Sequence, residues 1–230
     1  MKTIILPGLD GSADLRRDFA DSLPYDASTI SYPTDKELSY QALSHFVGSK
    51  LPREEDFVLI AESFSGPVAA RLGARQLNNL KAIVFVASFV KRPLPVPEQL
   101  LAFLDRAPLH SERMLRLARP FTFGRWGNGW LDAALLEEIL ELPESLIRFR
   151  LTQALTVDAM EKYRKIKTPM LYIRPKQDRV VWSPASVDME AANPNLSIET
   201  VKGPHFLLQA RPDAAAKTVA EFVEHLQVQA

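Results

Sequence analysis

From Phe57 to Ala70 the chain reads Phe57-Val58-Leu59-Ile60-Ala61-Glu62-Ser63-Phe64-Ser65-Gly66-Pro67-Val68-Ala69-Ala70, an apolar run that meets a serine among small residues and passes into a helical pattern. The run over 56–61 is short and bounded by charge, which predicts a buried parallel strand, and small and apolar residues recur at helical spacing over 64–76. So abrupt a junction leaves no room for bulk beside the turn. The pattern it demands is small-x-Ser-x-small, here Ala61-x-Ser63-x-Ser65, with Ala and Ser in place of the commoner Gly. A turn of this kind lifts the serine hydroxyl out of the sheet and offers it to a base, which a weak nucleophile needs. Ser65 competes for the role, but Pro67 two residues on fits the small position poorly. Counted from Ser63, that proline falls in the first helical turn, where proline is tolerated. The simpler alternative makes Ser63 an ordinary turn or N-cap residue.

Around this junction, strand patterns recur near 2–6, 27–32, 81–87, 169–174 and 196–201. Helical patterns at 13–23, 38–51, 184–192 and 211–227 alternate with them. The alternation predicts an α/β fold with a mostly parallel six-stranded sheet and helices on both faces. Residues 92–167 break the rhythm with a prolonged helical stretch opened by Arg92-Pro93-Leu94-Pro95-Val96-Pro97. Its expected helices are 97–106, 111–118, 131–142 and 144–163. The organisation is one core, residues 1–91 and 168–230, carrying a helical insertion over 92–167. Chains of this length hold one such domain and not two.

A serine nucleophile needs a histidine base and a carboxylate to orient it. Only four histidines are available. His45 and His225 lie within helical patterns and His110 at a helix start, so each reads as a surface or packing residue. His205 follows the strand end and turn Val201-Lys202-Gly203-Pro204. Asp178 lies in the loop after the strand Leu171-Tyr172-Ile173-Arg174, with Asp158, Asp188 and Asp213 as less direct substitutes. Loops at the C-terminal edge of a parallel sheet are where ligand and catalytic groups gather. A fourth loop follows the first strand, Leu6-Pro7-Gly8-Leu9-Asp10-Gly11-Ser12, where Gly8 and Gly11 permit close backbone approach. The backbone N–H groups of Phe64 and Leu9 are the expected donors to an oxyanion.

Together these four elements resemble the α/β-hydrolase superfamily: Leu6-Pro7-Gly8-Leu9-Asp10-Gly11 its oxyanion loop, Ala61-Glu62-Ser63-Phe64-Ser65-Gly66 its nucleophile elbow, Asp178 its acid, and Gly203-Pro204-His205 its histidine loop. Pro7 and Glu62 stand where many members carry His. The resemblance implies a trimmed fold without the usual two leading antiparallel strands, and it makes 92–167 a lid, or cap, over the site. Phe103, Phe121, Phe123, Trp126 and Trp130 are candidate walls of a substrate pocket, although each could instead pack the lid against the body. Gly124, Gly127 and Gly129 predict a mobile loop there.

Composition narrows the chemistry. Lys plus Arg and Asp plus Glu number 28 each, so no basic field marks the chain as a nucleic-acid partner. Cysteine is absent and histidine sparse and scattered, which implies neither a metal nor a cofactor. The first apolar run stops at Pro7-Gly8, too short for a signal segment, and no stretch approaches the ~20 apolar residues of a membrane span. A cytoplasmic protein is the expectation. The function implied is hydrolysis of a carboxylic ester of small or medium hydrophobic character through an acyl-enzyme. A thioesterase acting on acyl-CoA or a carrier protein uses the same residues, and Arg113, Arg116, Arg119 and Arg125 keep it open. Hydrolysis of a carbon-carbon bond and a non-catalytic ligand-binding role are more distant options.

Overall fold

The computed structural model describes residues 1–94 and 107–229. Six strands, β1 (Lys2–Leu6), β2 (Asp26–Thr29), β3 (Phe57–Glu62), β4 (Leu80–Val86), β5 (Met170–Pro175) and β6 (Leu196–Val201), form one sheet in the order β2-β1-β3-β4-β5-β6. Every pairing is parallel. The strand expected over 27–32 ends at Thr29; beyond it Ile30 N–H still bonds the Ile5 carbonyl, and Tyr32 N–H turns to that of Gly11.

Apolar side chains alternate strictly between the two faces, as a strand repeat of two requires. Leu6, Leu59, Phe85 and Tyr172 point to one side. That side is covered by α2 (Tyr40–Gly48), α3 (Gly66–Gly73), α7 (Met160–Tyr163) and α8 (Ser183–Ala192). Ile5, Val58, Val84 and Leu171 point to the other, against α1 (Arg17–Ser22), α9 (Leu207–Ala210) and α10 (Pro212–Gln229). On α10 the buried residues Ala215, Ala216, Val219 and Val223 make one helical stripe. Burying a side chain such as Val219 contributes about 1.5–3 kcal/mol.

Between β4 and β5 the chain forms α4 (Glu112–Thr122), a 3-10 turn (Gly124–Trp126), α5 (Gly129–Glu141) and α6 (Glu144–Thr156). Ser111 and Asn128 cap α4 and α5, their side chains accepting from Met114 N–H and Leu131 N–H at 3.3 and 2.8 Å. The helix expected over 97–106 and Phe103 fall outside the described residues. The single helix expected over 144–163 is two, because the chain is drawn into an antiparallel bridge between Lys91 and Asp158. Ala159 N–H bonds the Val90 carbonyl and Arg92 N–H that of Val157. Residues beyond this neck rejoin the main core through Tyr163 and Ile166. The inserted helices have a small core of their own, Ile139, Leu142, Leu146 and Ile147, against which Leu9 of the first loop packs.

With all strands parallel, the loops after β1, β3, β5 and β6 leave the sheet at one edge. The chain goes from β1 outward to β2 and then crosses to β3 on the opposite side of β1. In parallel α/β sheets, ligand and catalytic groups gather at such a switch point, here between the β1 and β3 loops.

Candidate active site

Ser63 occupies the turn from β3 into α3 with φ +45°, a conformation that costs a non-glycine residue about 1–3 kcal/mol. Its surroundings hold it there. Ser88 donates its hydroxyl to the Ser63 carbonyl at 2.6 Å, and Ser88 is fixed by Tyr172, whose hydroxyl donates to its carbonyl at 2.7 Å and accepts from its N–H at 3.1 Å. Gly66 is required at the turn because a Cβ there would lie 2.1 Å from the Phe89 carbonyl oxygen and 2.4 Å from Ser88 Oγ. Pro67 takes an opening position of α3, where its missing N–H costs nothing.

Ser63 is partly exposed, and its Oγ lies 3.0 Å from His205 Nε2. On the far side of the ring, Nδ1 lies 3.1 and 3.0 Å from the two carboxylate oxygens of Asp178. Asp178 Oδ1 also accepts from Val180 N–H and Val181 N–H at 2.8 and 2.9 Å. Those amides fix its orientation. The His205 and Asp178 side chains are each only 6% exposed. Burial pulls the imidazole down, but the charge and hydrogen bond of Asp178, with the charge of Glu62 adding to them, carry it above its ordinary value. Asp158, Asp188 and Asp213 make no hydrogen bond to this ring; Asp158 instead accepts from Met160 N–H and Asp213 from Ser22.

Ser65, the competing hydroxyl, is fully buried. It donates to the Pro7 carbonyl and accepts from Tyr32, and so joins the start of α3 to the loop after β1. In that loop the Leu9 N–H has no acceptor among the described residues.

Four residues not anticipated from the sequence set the position of this loop. Arg16, fully buried, reaches Asp10 through two of its nitrogens, one at 2.8 Å, and Glu62 at 2.7 and 2.5 Å. Glu62 in turn accepts from Gln209 at 3.0 Å. One guanidinium thus ties the loop to the residue before Ser63. Burial pulls the pKa of this cation down, and the charges and hydrogen bonds of the two carboxylates more than reverse it, so it stays charged. From the inserted helix α6, Arg150 donates to the carbonyls of Leu9 and Asp10, both at 2.8 Å, and of Pro33 at 2.9 Å. Gly11, at φ +79°, has no space for a side chain: a Cβ would stand 2.7 Å from that guanidinium. Nothing local to the sequence marks Arg16 or Arg150 as buried.

The aromatic residues of the insertion divide. Phe123 is buried, with its ring 5.0 Å from that of Phe206, which stands edge-on to His205 at 5.6 Å. Phe121, Phe123 and Trp126 line a cavity of about 330 Å³ together with Gln177 and Pro204, the residues before Asp178 and His205. Phe123 also borders a cavity of about 510 Å³ between α4 and α5. Trp130 is 63% exposed. Among the described residues, no group of three or more His, Asp or Glu side chains is arranged to hold a metal ion, and no helix is long and apolar enough to cross a membrane.

A sequence model described as the alpha/beta hydrolase family matches residues 4–218. The chain belongs to the alpha/beta hydrolase family. No curated protein matches it in sequence. Among solved structures similar to this hydrolase-family chain is a bromoperoxidase from Bacillus anthracis, with a TM-score of 0.83 at 14% identity over 97% of this chain and 91% of that one. An enol-lactonase from Burkholderia xenovorans LB400 has a TM-score of 0.81, also at 14% identity and with the same 97% and 91% coverage. A thermophilic esterase from Thermogutta terrifontis has a TM-score of 0.79 at 12% identity over 98% and 90%. At such identities the likeness is one of fold, here the α/β-hydrolase fold with six parallel strands.

Proposed function

We propose that this α/β-hydrolase-family protein is a serine hydrolase that cleaves a carboxylic ester of small or medium hydrophobic character. The observation that carries the reading is the unbroken chain Ser63 Oγ, His205 and Asp178, with Ser63 held at positive φ. The lactonase and esterase among its structural neighbours support the choice of an ester bond.

Ser63 Oγ attacks the acyl carbonyl as His205 Nε2 takes its proton. Asp178 holds Nδ1–H and stabilises the imidazolium. The N–H groups of Leu9 and Phe64 receive the oxyanion, the first without a competing acceptor among the described residues. Protonated His205 then gives its proton to the leaving alcohol, and a water deprotonated by the same ring releases the acid. The inserted helices act as a lid, through Arg150 on the oxyanion loop and through Phe123 packed on Phe206.

An ester is favoured over the thioester of a phosphate-bearing carrier because two of the four arginines on offer are already engaged. Arg116 pairs with Glu112 at 2.5 Å and Arg119 with Asp132 at 2.7 Å. The test is hydrolysis of p-nitrophenyl acetate and butyrate beside acetyl-CoA. The wild type should turn over the esters in preference, and Ser63→Ala should lose about 10³-fold or more in kcat while remaining folded. Ester hydrolysis retained by Ser63→Ala contradicts the reading.

A further inference from the structure

Arg150 reaches the loop after β1 from the inserted helix α6, and it is held there in an unusual way. Only 4% exposed, it directs Nη1 to the carbonyls of Leu9 and Asp10 and Nη2 to that of Pro33. Among the described residues it has no carboxylate partner, the Asp10 carboxylate being taken by Arg16. Burial pulls the Arg150 pKa below its ordinary value although the charge of Asp10 opposes this. A buried cation satisfied by neutral carbonyls alone is a costly means of attaching one helix to a loop.

What the guanidinium does fix is the backbone at the site. Leu9 carries the N–H without an acceptor, and holding the carbonyls of Leu9 and Asp10 together leaves that residue little freedom to turn the N–H away. The Leu9 side chain packs on the core of the insertion, and Ser12 donates its hydroxyl to Glu138 of α5 at 2.9 Å. The loop is therefore gripped by the inserted helices on both its backbone and its side chains. The same guanidinium lies 6.0 Å from the centre of the Tyr32 ring. Tyr32 bonds Gly11 through its N–H and Ser65 through its hydroxyl, and its ring meets Phe64 edge-on at 6.4 Å. Arg150 thus reaches Leu9 directly and Phe64 through one ring.

We propose that Arg150 is a positioning residue for the oxyanion hole, so that the inserted helices govern the acyl-transfer step itself and not only access to Ser63. The inference rests on the serine-hydrolase reading. An oxyanion donor acts only at hydrogen-bond distance from the charge that develops in the transition state, where it is worth about 10²–10³-fold in kcat. A displacement of about 1 Å forfeits about 10²-fold. The ground-state ester makes no such demand, so KM should stay where it is.

Steady-state hydrolysis of p-nitrophenyl butyrate by the wild type, Arg150→Ala and Arg150→Lys tests this, with circular dichroism to establish folding. Arg150→Ala should lose about 10²-fold in kcat with KM within about twofold of wild type. Ethylguanidinium, which returns the missing fork, should raise kcat of Arg150→Ala by about tenfold and leave the wild type unchanged. Arg150→Lys keeps the charge without the fork; it should lose about tenfold in kcat, and it decides the matter if Arg150→Ala does not fold. A purely structural arginine predicts the opposite pattern, a lower Tm with kcat per folded molecule intact. Unchanged kcat in a folded variant, a loss carried by KM, or no response of folded Arg150→Ala to ethylguanidinium would overturn the proposal while wild-type turnover upholds the hydrolase reading. A wild type that neither turns over the ester nor takes a fluorophosphonate on Ser63 overturns both.

Discussion

Arg16 and Arg17 are adjacent and chemically identical, yet the fold gives them opposite weights. Arg17 pairs with Asp14 at 2.6 Å with both side chains about 70% exposed, a geometry that contributes less than about 1 kcal/mol. Arg16 is wholly buried between Asp10 and Glu62, themselves 1% and 2% exposed. Replacing Arg16 by Leu strands two carboxylates in the interior, for which breaking one side of a buried ion group costs about 3–5 kcal/mol. In a chain of this size that corresponds to a fall in Tm of about 6–20 °C. Arg17→Leu should lower Tm by no more than about 2–4 °C.

Thermal and urea unfolding of both variants and the wild type measure the difference. A loss below about 1 kcal/mol in Arg16→Leu, or one no larger than that in Arg17→Leu, would refute the claim that this guanidinium neutralises the two acids behind the loop.

Other consequences are smaller in scope. Because His205 is carried above its ordinary value by Asp178 and Glu62, and must be neutral to act as a base, the acidic limb of kcat/KM should have its midpoint above about 6.5; a midpoint below that value contradicts the assignment. The same shift makes His205 stabilise the fold at pH values below its unfolded pKa, a contribution lost as pH rises through the folded value. Asp178→Asn should reduce kcat by about 10³–10⁴-fold with little change in secondary structure, read by ester hydrolysis and circular dichroism. Ser65→Ala leaves the Pro7 carbonyl and the Tyr32 hydroxyl unpaired in the core; it should cost about 1–3 kcal/mol in urea unfolding while hydrolysis persists at a reduced rate.

The parallel sheet and the loops that bring Ser63, Asp178 and His205 together were legible because β3 and β5 are apolar runs and each of these residues lies in the turn or loop after a strand. Turn chemistry carried the elbow in the same way. What could not be read depends on partners distant in sequence. Arg16 meets Glu62 across 46 residues and Arg150 meets Leu9 across 141, and nothing local separates a buried arginine from a solvated one. The break between α6 and α7 carries no glycine or proline to announce it; pairing with residues 90–92 imposes it. Ser88 was likewise silent, since its task is to hold a carbonyl in a turn that begins 25 residues earlier. Trp130 illustrates the reverse error of emphasis, an aromatic residue in an inserted helix that faces solvent.

The central claim is that Ser63 is an activated nucleophile, and a covalent probe reports on that without knowledge of the natural substrate. Purified protein is treated with a fluorophosphonate, its intact mass is recorded, and the labelled peptide is sequenced by fragmentation. The account predicts a single adduct on Ser63, loss of ester hydrolysis in step with labelling, and no adduct in Ser63→Ala. Labelling of Ser65, or of no residue in protein shown to be folded, would contradict it.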